Sequence, residues 1–429
     1  MRSFVCAVFF GGLVLGQVND PGRVISALED RALTEQAGRL QTDDRIKMYN
    51  ALAAARPQDV HYEILLAATY IQKMRETMDF GYLDRAGKLL ENVLSADRSN
   101  YEALRLRSEV ELERHEFAKA ASDSMALTAM APSDSWNWGT LGDAESELGN
   151  YDRAAEAYQK MVNLRPDMAS YNRAAYFRFL MGDVEGATQI MERAITAGST
   201  SPENVAWCLV ELGQIYFKSG REAEAERAFR AAIQMFPGYH KAYAALGQVQ
   251  AQQGQIREAI ASYRRAQAST PLPDYAGALY DLFVAAGDRE EAARQMELVD
   301  VIDKLGQAAR EKLNRNVAMV YANHDRRLER ALELAQAEIG VRRDVYTWDA
   351  FAWALYKNGR YAEADAAMAA AMKLGTPEPA FYYHAGMIAS ALGKKTDAAR
   401  LLKRALSLNP RFDLRQAETA EKALREMES

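Results

Sequence analysis

Apolar residues recur every three or four positions through most of the chain, in stretches that are separated by short polar turns. This spacing places the apolar side chains on one face of a helix. Two such stretches and the turn between them repeat with a period of about 34 residues, most plainly at 101–167, 206–239 and 240–273. Strand-like alternation does not recur. The pattern predicts an all-α chain of helix pairs, and each helix is too short to be stable alone.

Certain positions of each unit have a fixed side-chain size. A small residue on the first helix lets the second helix approach closely, an alanine does the same on the second helix, and a proline ends the unit because it lacks an N–H group. Alanines at the second-helix position are Ala154, Ala225, Ala259, Ala364 and Ala398. The unit at 135–167 carries the whole set: Trp138, Leu141, Gly142, Ala154, Tyr158 and Pro166.

This set of residues and its period resemble the tetratricopeptide repeat (TPR), a helix–turn–helix unit. The resemblance covers nearly the whole chain. It implies a TPR solenoid, wound as a right-handed superhelix and stabilised by stacking of each unit on its neighbours.

The units divide the chain into four parts. We expect a signal peptide at 1–16, irregular helical or TPR-like units at 17–100, a TPR array of nine units at 101–412 and a capping helix at 413–429, where apolar residues again recur every three or four positions. Two irregularities interrupt the pattern. The turn at 76–81 is predicted to be extended, and a phase break at 200–205 precedes the unit at 206, with Pro202 as a first-turn helix residue.

The first 16 residues differ in kind from the repeats. Arg2 precedes an apolar run from Phe4 to Leu15, which is typical of a secretory signal peptide cleaved after Gly16. The run is too short to span a bilayer comfortably, so no stable membrane span is expected after cleavage. We therefore predict an exported protein, periplasmic or secreted; a cytoplasmic or membrane-tethered protein is the alternative if the segment is not cleaved.

The composition and the motifs exclude several classes of function. The net charge of −6, with both signs mixed along the chain, argues against a nucleic-acid-binding surface, which needs a clustered basic stripe. The sequence has no P-loop, no Gly-rich dinucleotide turn, no Gly-x-Ser-x-Gly elbow and no His-Glu-x-x-His. Its five histidines have no metal-ligand spacing. We predict no catalytic residues, no metal and no cofactor.

The resemblance also implies where partners bind. In TPR proteins the first helices of successive units line a groove, into which their second, fifth, ninth and twelfth positions point. Aromatic anchors suit an extended peptide, although the tryptophans also fit as packing residues. The positions that this rule selects are Arg105, Glu109, Trp136, Asp143, Asn172, Tyr176, Trp207, Gln214, Lys241, Gln248, Tyr346, Asp349, Trp353 and Tyr383.

The predicted function is a non-catalytic scaffold of the periplasm or cell envelope that binds other proteins or extended peptides in this groove. Three alternatives remain. The chain is an accessory or regulatory subunit of an envelope enzyme, part of a polysaccharide-export or secretion complex, or a carbohydrate-binding TPR protein. The oligomeric state and the identity of the partner are not predicted.

Overall fold

The structure is a computed structural model that describes residues 37, 40–199, 201–308 and 314–428. Within these ranges the chain forms 22 helices and no strand. The signal peptide predicted at 1–16 lies outside the described residues. The helices are α1 Thr42–Ala55, α2 His61–Thr77, α3 Gly81–Ala96, α4 Tyr101–Glu113, α5 Phe117–Met130, α6 Ser135–Glu147, α7 Tyr151–Leu164, α8 Met168–Leu180, α9 Val184–Ala197, α10 Pro202–Lys218, α11 Glu222–Met235, α12 His240–Gln252, α13 Ile256–Ser269, α14 Pro273–Ala286, α15 Arg289–Ala308, α16 Arg315–Asn323, α17 Leu328–Ile339, α18 Val345–Lys357, α19 Tyr361–Ala371, α20 Pro379–Ala391, α21 Lys395–Leu408 and α22 Gln416–Glu428.

Consecutive helices pack as antiparallel pairs from α2/α3 to α20/α21, and the first helix of each pair packs on the pair before it. Nine pairs lie between Tyr101 and Leu408, the number that the repeats predict. The predicted all-α helix-turn-helix solenoid is confirmed.

The small residue of each first helix has the steric role that the sequence indicates. A Cβ atom on Gly142 would lie 2.5 Å from the ring of Tyr158, and one on Gly213 would lie 2.3 Å from the ring of Phe229. Ala154, on the second helix, is fully buried. A larger side chain at these positions would hold the two helices apart, and overpacking of this kind costs about 1–3 kcal/mol.

One predicted irregularity is wrong and another is confirmed. The turn expected at 76–81 is not extended: α2 continues to Thr77 and α3 begins at Gly81, so the inserted residues lengthen the helix instead. Pro202 is a first-turn residue of α10, as predicted. After the array, α22 buries Ala417 and Ala420 against the last pair, which is the covering of the apolar end that a solenoid needs.

The array turns back on itself, so that late loops touch early turns. The Arg343 N–H donates to the Glu147 carbonyl (2.7 Å), the Thr376 hydroxyl to the Leu180 carbonyl (2.6 Å), and the Asn409 side-chain amide to the Phe217 carbonyl (2.8 Å). We call this contact the seam: turns 147–151, 180–182 and 217–222 against loops 342–345, 373–376 and 408–411. Each junction links a turn of one helix pair to the loop that follows the fifth pair after it.

Side chains reinforce the backbone contacts of the seam. The Val345 N–H donates to the Tyr151 hydroxyl oxygen at 2.9 Å, and the Lys373 ammonium lies 4.6 Å from the centre of the Tyr151 ring. Arg411 pairs with Glu222 at 2.9 Å. The seam therefore combines neutral hydrogen bonds, a cation–π contact and an ion pair, and it closes the solenoid into a narrow superhelix.

No helix among the described residues combines the length and the apolar character needed to cross a lipid bilayer.

Candidate functional site

The first helices of successive pairs present one polar row toward the inside of the superhelix. Its members occupy the ninth position of their repeat, counted in α10 from Ala206. We call this set the inner row: Glu109, Asp143, Tyr176, Gln214, Gln248, Asp281, Asn323 and Trp353.

In its first half, the inner row is held by arginines. Arg75 of α2 reaches Glu109 at 2.7 Å and Glu113 at 2.9 Å. Burial alone would lower the pKa of Arg75, but these two carboxylates outweigh it and raise the pKa. Arg173 likewise reaches Asp143 at 2.8 Å. Partly buried pairs of this kind fix side-chain orientation, because each charge would be costly to leave without its partner.

Trp136, at the start of α6, lies between two cations. The guanidinium carbons of Arg105 and Arg173 lie 5.9 and 5.6 Å from its ring, within the range of a cation–π contact. The indole N–H is buried and has no hydrogen-bond partner among the described residues. The arrangement holds an aromatic platform in one orientation on the inner face.

Farther along, the amide of Gln214 donates to the Gln248 side-chain oxygen at 3.3 Å. Burial raises the pKa of Tyr176, and the neighbouring Tyr346 raises it further, so this phenol is neutral at physiological pH. Lys218, at the end of α10, forms an ion pair with Glu378 at 2.7 Å and lies 3.2 Å from the Tyr346 hydroxyl. These residues form a mixed polar and aromatic surface.

The last part of the inner row is covered by the chain's own C-terminal segment. Arg415 pairs with Asp281 at 3.0 Å and donates to the Asn323 carbonyl at 2.6 Å. Gln416 donates to the Asn323 side-chain oxygen at 3.1 Å, and the Trp353 indole donates to the same oxygen at 2.8 Å. This half of the inner row therefore holds the C-terminal segment against the array.

The structure brings most of the predicted groove residues to the inner face but buries four of the 14. Glu109 lies under Arg75, Asp349 under His384, Trp353 between the rings of Tyr356 and His384, and Tyr383 against Phe412. These four are not free to meet a partner. The other ten are partly exposed, and their role in binding stays a prediction: Arg105, Trp136, Asp143, Asn172, Tyr176, Trp207, Gln214, Lys241, Gln248 and Tyr346.

Sequence reasoning missed two members of the inner row, Asp281 and Asn323. Both belong to pairs with weaker repeat signatures, so the rule was not applied to them. The ninth-position spacing from Gln248 would have found Asp281, whereas the longer helix α15 shifts Asn323 out of register.

The described residues show little reactive chemistry. They contain no group of three or more His, Cys, Asp or Glu side chains arranged to hold a metal ion. Cys208 is buried beside Asn172, and burial raises the pKa of its thiol to about 12. A thiol that stays protonated is a poor nucleophile.

The repeated pairs and the inner face define a class, the helical repeat proteins that present a binding surface along a solenoid. Models of the tetratricopeptide repeat family match residues 137–168, 166–238, 210–273 and 350–425. The protein is a tetratricopeptide repeat protein, as its sequence pattern predicts.

Curated relatives match in part. Tetratricopeptide repeat protein 36 of Mus musculus is 34% identical over 95 residues, which are 22% of this chain and 51% of the relative. Its Homo sapiens counterpart is 32% identical over 95 residues, 22% of this chain and 50% of the relative. The chain thus spans about half the length of the curated relatives it matches.

Solved structures match the chain at low similarity. PilW, a type IV pilus biogenesis factor, matches with a TM-score of 0.42 and 13% identity over 47% of this chain and 93% of its own. Yeast Tom70 matches with a TM-score of 0.36 and 15% identity over 95% of this chain and 97% of its own.

Proposed function

We propose that this protein is an exported, non-catalytic scaffold that binds partner proteins or extended peptides on its inner face. TPR proteins in general mediate protein–protein interactions. The observation that supports an inner-face site is the part of the superhelix from Trp136 to Gln248, where polar and aromatic side chains are partly exposed. At its start, Arg105 and Arg173 hold Trp136 and Asp143 in fixed orientations.

This surface suits an extended chain for a physical reason. Side chains at one repeat position follow the superhelix in a row, so a partner can make several spaced contacts. Trp136 and Trp207 offer rigid aromatic area, and Asn172, Gln214 and Gln248 offer amide donors and acceptors. Binding is then distributed over several residues, with the aromatic side chains as the largest contributors.

The test is affinity capture from a native extract of the source cells with the full chain as bait. The inner-face variant is Trp207→Ala/Gln248→Ala. The matched control is Met125→Ala/Met130→Ala, because these side chains are 50% and 57% exposed on the opposite, second helix of their pair. Proteins retained by wild type and control but lost by the inner-face variant support the proposal. Equal recovery with all three baits contradicts it.

Export is tested separately. The proposal requires that the mature chain lacks residues 1–16, so intact-mass measurement of the protein from its native source should give a chain that begins at Gln17. A mature chain that still begins at Met1 contradicts a cleaved signal peptide.

A further inference from the structure

Two adjoining cavities lie inside the superhelix, at its C-terminal half. The larger, of about 180 Å³, is lined by residues of α10, α16 and α20 and by the segment before α22; the smaller, of about 90 Å³, lies beside it. Gln248, Phe412 and Asp413 line both. Water occupies about 30 Å³ per molecule in the liquid, so the larger cavity has room for a small organic group.

The larger cavity contains a buried polar atom without a partner. His384 is 1% exposed, and its Nδ1 lies 2.8 Å from the Asp349 carboxylate. Its Nε2 has no hydrogen-bond partner among the residues that the structure describes. In the tautomer whose Nδ1–H donates to the Asp349 carboxylate, Nε2 carries a lone pair. A buried acceptor left unpaired is destabilising, so the site favours a guest that donates a hydrogen bond.

The charges around the cavity select the sign of that guest. Lys218 is neutralised by Glu378 at 2.7 Å, and Arg415 neutralises Asp281 at 3.0 Å. Asp413, in the wall, has no basic partner within salt-bridge distance among the described residues. Asp349, beneath the histidine, has His384 as its one basic neighbour in that part of the chain. The balance is negative.

The remaining wall is apolar. Phe217, Met319, Pro379, Ala380 and Phe412 line the larger cavity, and they suit a short aliphatic stem. In the smaller cavity the amide of Gln252 is 8% exposed, and neither its oxygen nor its nitrogen has a partner in the described part of the chain. The site therefore combines an apolar wall, an acceptor lone pair and negative charge.

We propose that this cavity binds an alkylammonium group, supplied by a free aliphatic amine or by a lysine side chain of a bound chain. The ammonium donates to His384 Nε2 within the field of Asp413 and Asp349, and the aliphatic stem packs against the two phenylalanines. The inference does not rest on the proposed scaffold function, because amine binding and partner capture are separate measurements.

The test is calorimetric titration of the full chain with n-butylammonium chloride, with sodium butyrate and butan-1-ol as probes of the same stem length. We expect saturable binding of the cation and none of the anion, with the alcohol weaker by about tenfold, equivalent to the loss of one charge-assisted contact of about 1.4 kcal/mol. Equal binding of cation and anion, or no saturable binding of the cation, overturns the proposal.

Matched histidine variants locate the site. His384→Phe retains a ring that can stack on Trp353, whose centre lies 4.1 Å away, but removes the acceptor. The control is His240→Phe, because His240 is also buried with an unpartnered Nε2 yet lines neither cavity. We expect affinity to fall about tenfold or more in His384→Phe and to be unchanged in His240→Phe. Equal affinity in the two variants places the amine elsewhere and overturns the assignment.

A second variant keeps the test decisive if loss of the histidine unfolds the chain. Asp413→Asn removes a charge, and the amide oxygen can still accept the Arg415 and Gln416 N–H groups that the carboxylate now accepts at 2.9 and 2.8 Å. We expect butylammonium affinity to fall by about threefold or more, with unchanged helicity. Unchanged affinity would exclude Asp413 from the site and contradict the charge argument.

Competition by Nα-acetyl-lysine amide would identify a lysine side chain as a source, and its absence would restrict the site to free amines.

Discussion

Two sets of inter-helix turns in this chain look alike and are packed differently. Gly149, Gly182 and Gly220 lie in the seam, whereas equivalent glycines such as Gly254 and Gly359 have open space where a Cβ atom would lie. All five have φ between 74° and 85°. A Cβ atom would lie 2.6 Å from the Arg343 carbonyl oxygen at Gly149, but would have no atom within 4 Å at Gly359.

The comparison separates two requirements that one residue type satisfies. Every one of these turns needs a residue that tolerates a positive φ. Only the seam turns also need the absence of a side chain, because another part of the backbone lies against them. In turns such as that of Gly359, glycine thus serves only the local backbone conformation. In the seam turns it also permits a tertiary contact.

The largest effect is expected from Gly149→Ala compared with Gly359→Ala. Each substitution lowers the free energy of unfolding by about 1–2 kcal/mol, because alanine is strained in the left-handed backbone conformation. Gly149→Ala also meets a carbonyl oxygen that cannot rotate away, which adds about 1–3 kcal/mol. Denaturant midpoints measure the difference, and small-angle scattering should show a larger radius of gyration for Gly149→Ala only. Identical midpoints and radii would show that the seam is not formed in solution.

Asn409→Ala should have the next largest effect. Asn409 is fully buried, and its loss leaves the Phe217 carbonyl without this donor, at a cost of about 1–3 kcal/mol. The control is Asn358→Ala, which removes donors to the Leu328 and Ala354 carbonyls within neighbouring pairs. Hydrogen exchange of the Gly220 amide should accelerate in Asn409→Ala and not in Asn358→Ala. Protection at Gly220 that is the same in both variants would argue against the seam hydrogen bond.

Acid should also weaken the region beside the seam through His115, which lies near Arg342 of the seam loop 342–345. Burial, with smaller effects of the nearby Arg342 and Arg315, lowers its pKa to about 4, although Glu113 opposes them. A histidine held neutral in the folded state stabilises it above the unfolded pKa of about 6.5, and this contribution is lost as the pH falls to about 4. We expect His115→Asn, which tolerates the left-handed backbone at this position (φ 61°), to reduce the pH dependence of the melting temperature over that interval.

His240 provides the comparison for the pH experiment, because burial lowers its pKa to about 4 as well but it lies outside the seam, bonded to the Tyr275 hydroxyl at 2.7 Å. Amides of the seam turns should gain acid protection in His115→Asn, whereas His240→Asn should affect only its own pair. An acid profile that neither substitution alters would assign the pH dependence to carboxylates.

The smallest effect is expected from Arg411→Ala. Arg411 is more than half exposed, so its pair with Glu222 contributes at most about 1 kcal/mol. The control is Arg360→Ala, which removes a pair with Glu363 inside a single helix turn. At low salt Arg411→Ala should raise hydrogen exchange at the seam and Arg360→Ala should not, and high salt should abolish the difference. A salt-independent difference would mean that packing of the arginine stem, not its charge, is responsible.

Local regularities explain what could be predicted from the sequence. The period of about 34 residues defines the helix pairs, and the small residue at Gly142 indicates the close approach that the Tyr158 ring then fills. The repeat rule also selects inner-face residues such as Tyr176 and Gln248, because it needs only the position within one helix.

The seam could not be predicted in this way. It joins residues that are far apart in the sequence, such as Thr376 and Leu180, which are 196 positions apart, and neither residue type is unusual for its unit. Burial of Trp353 and Tyr383 could not be predicted for a similar reason, because it depends on contacts with His384 and with the segment around Phe412. The prediction of an extended turn at 76–81 was wrong because the polar residues there are compatible with a helix as well as with a loop.

Closure also has a consequence for how this chain reaches its native state. An open repeat array can fold from any unit outward, because every contact is made with a nearest neighbour. Here the hydrogen bond from Lys373 to Gly149 spans 224 residues, and contacts of such range are slow to form because a long loop must close first. The early turns and the late loops of the seam therefore gain their full stability together, because the last pairs supply contacts to turns that were synthesised long before them.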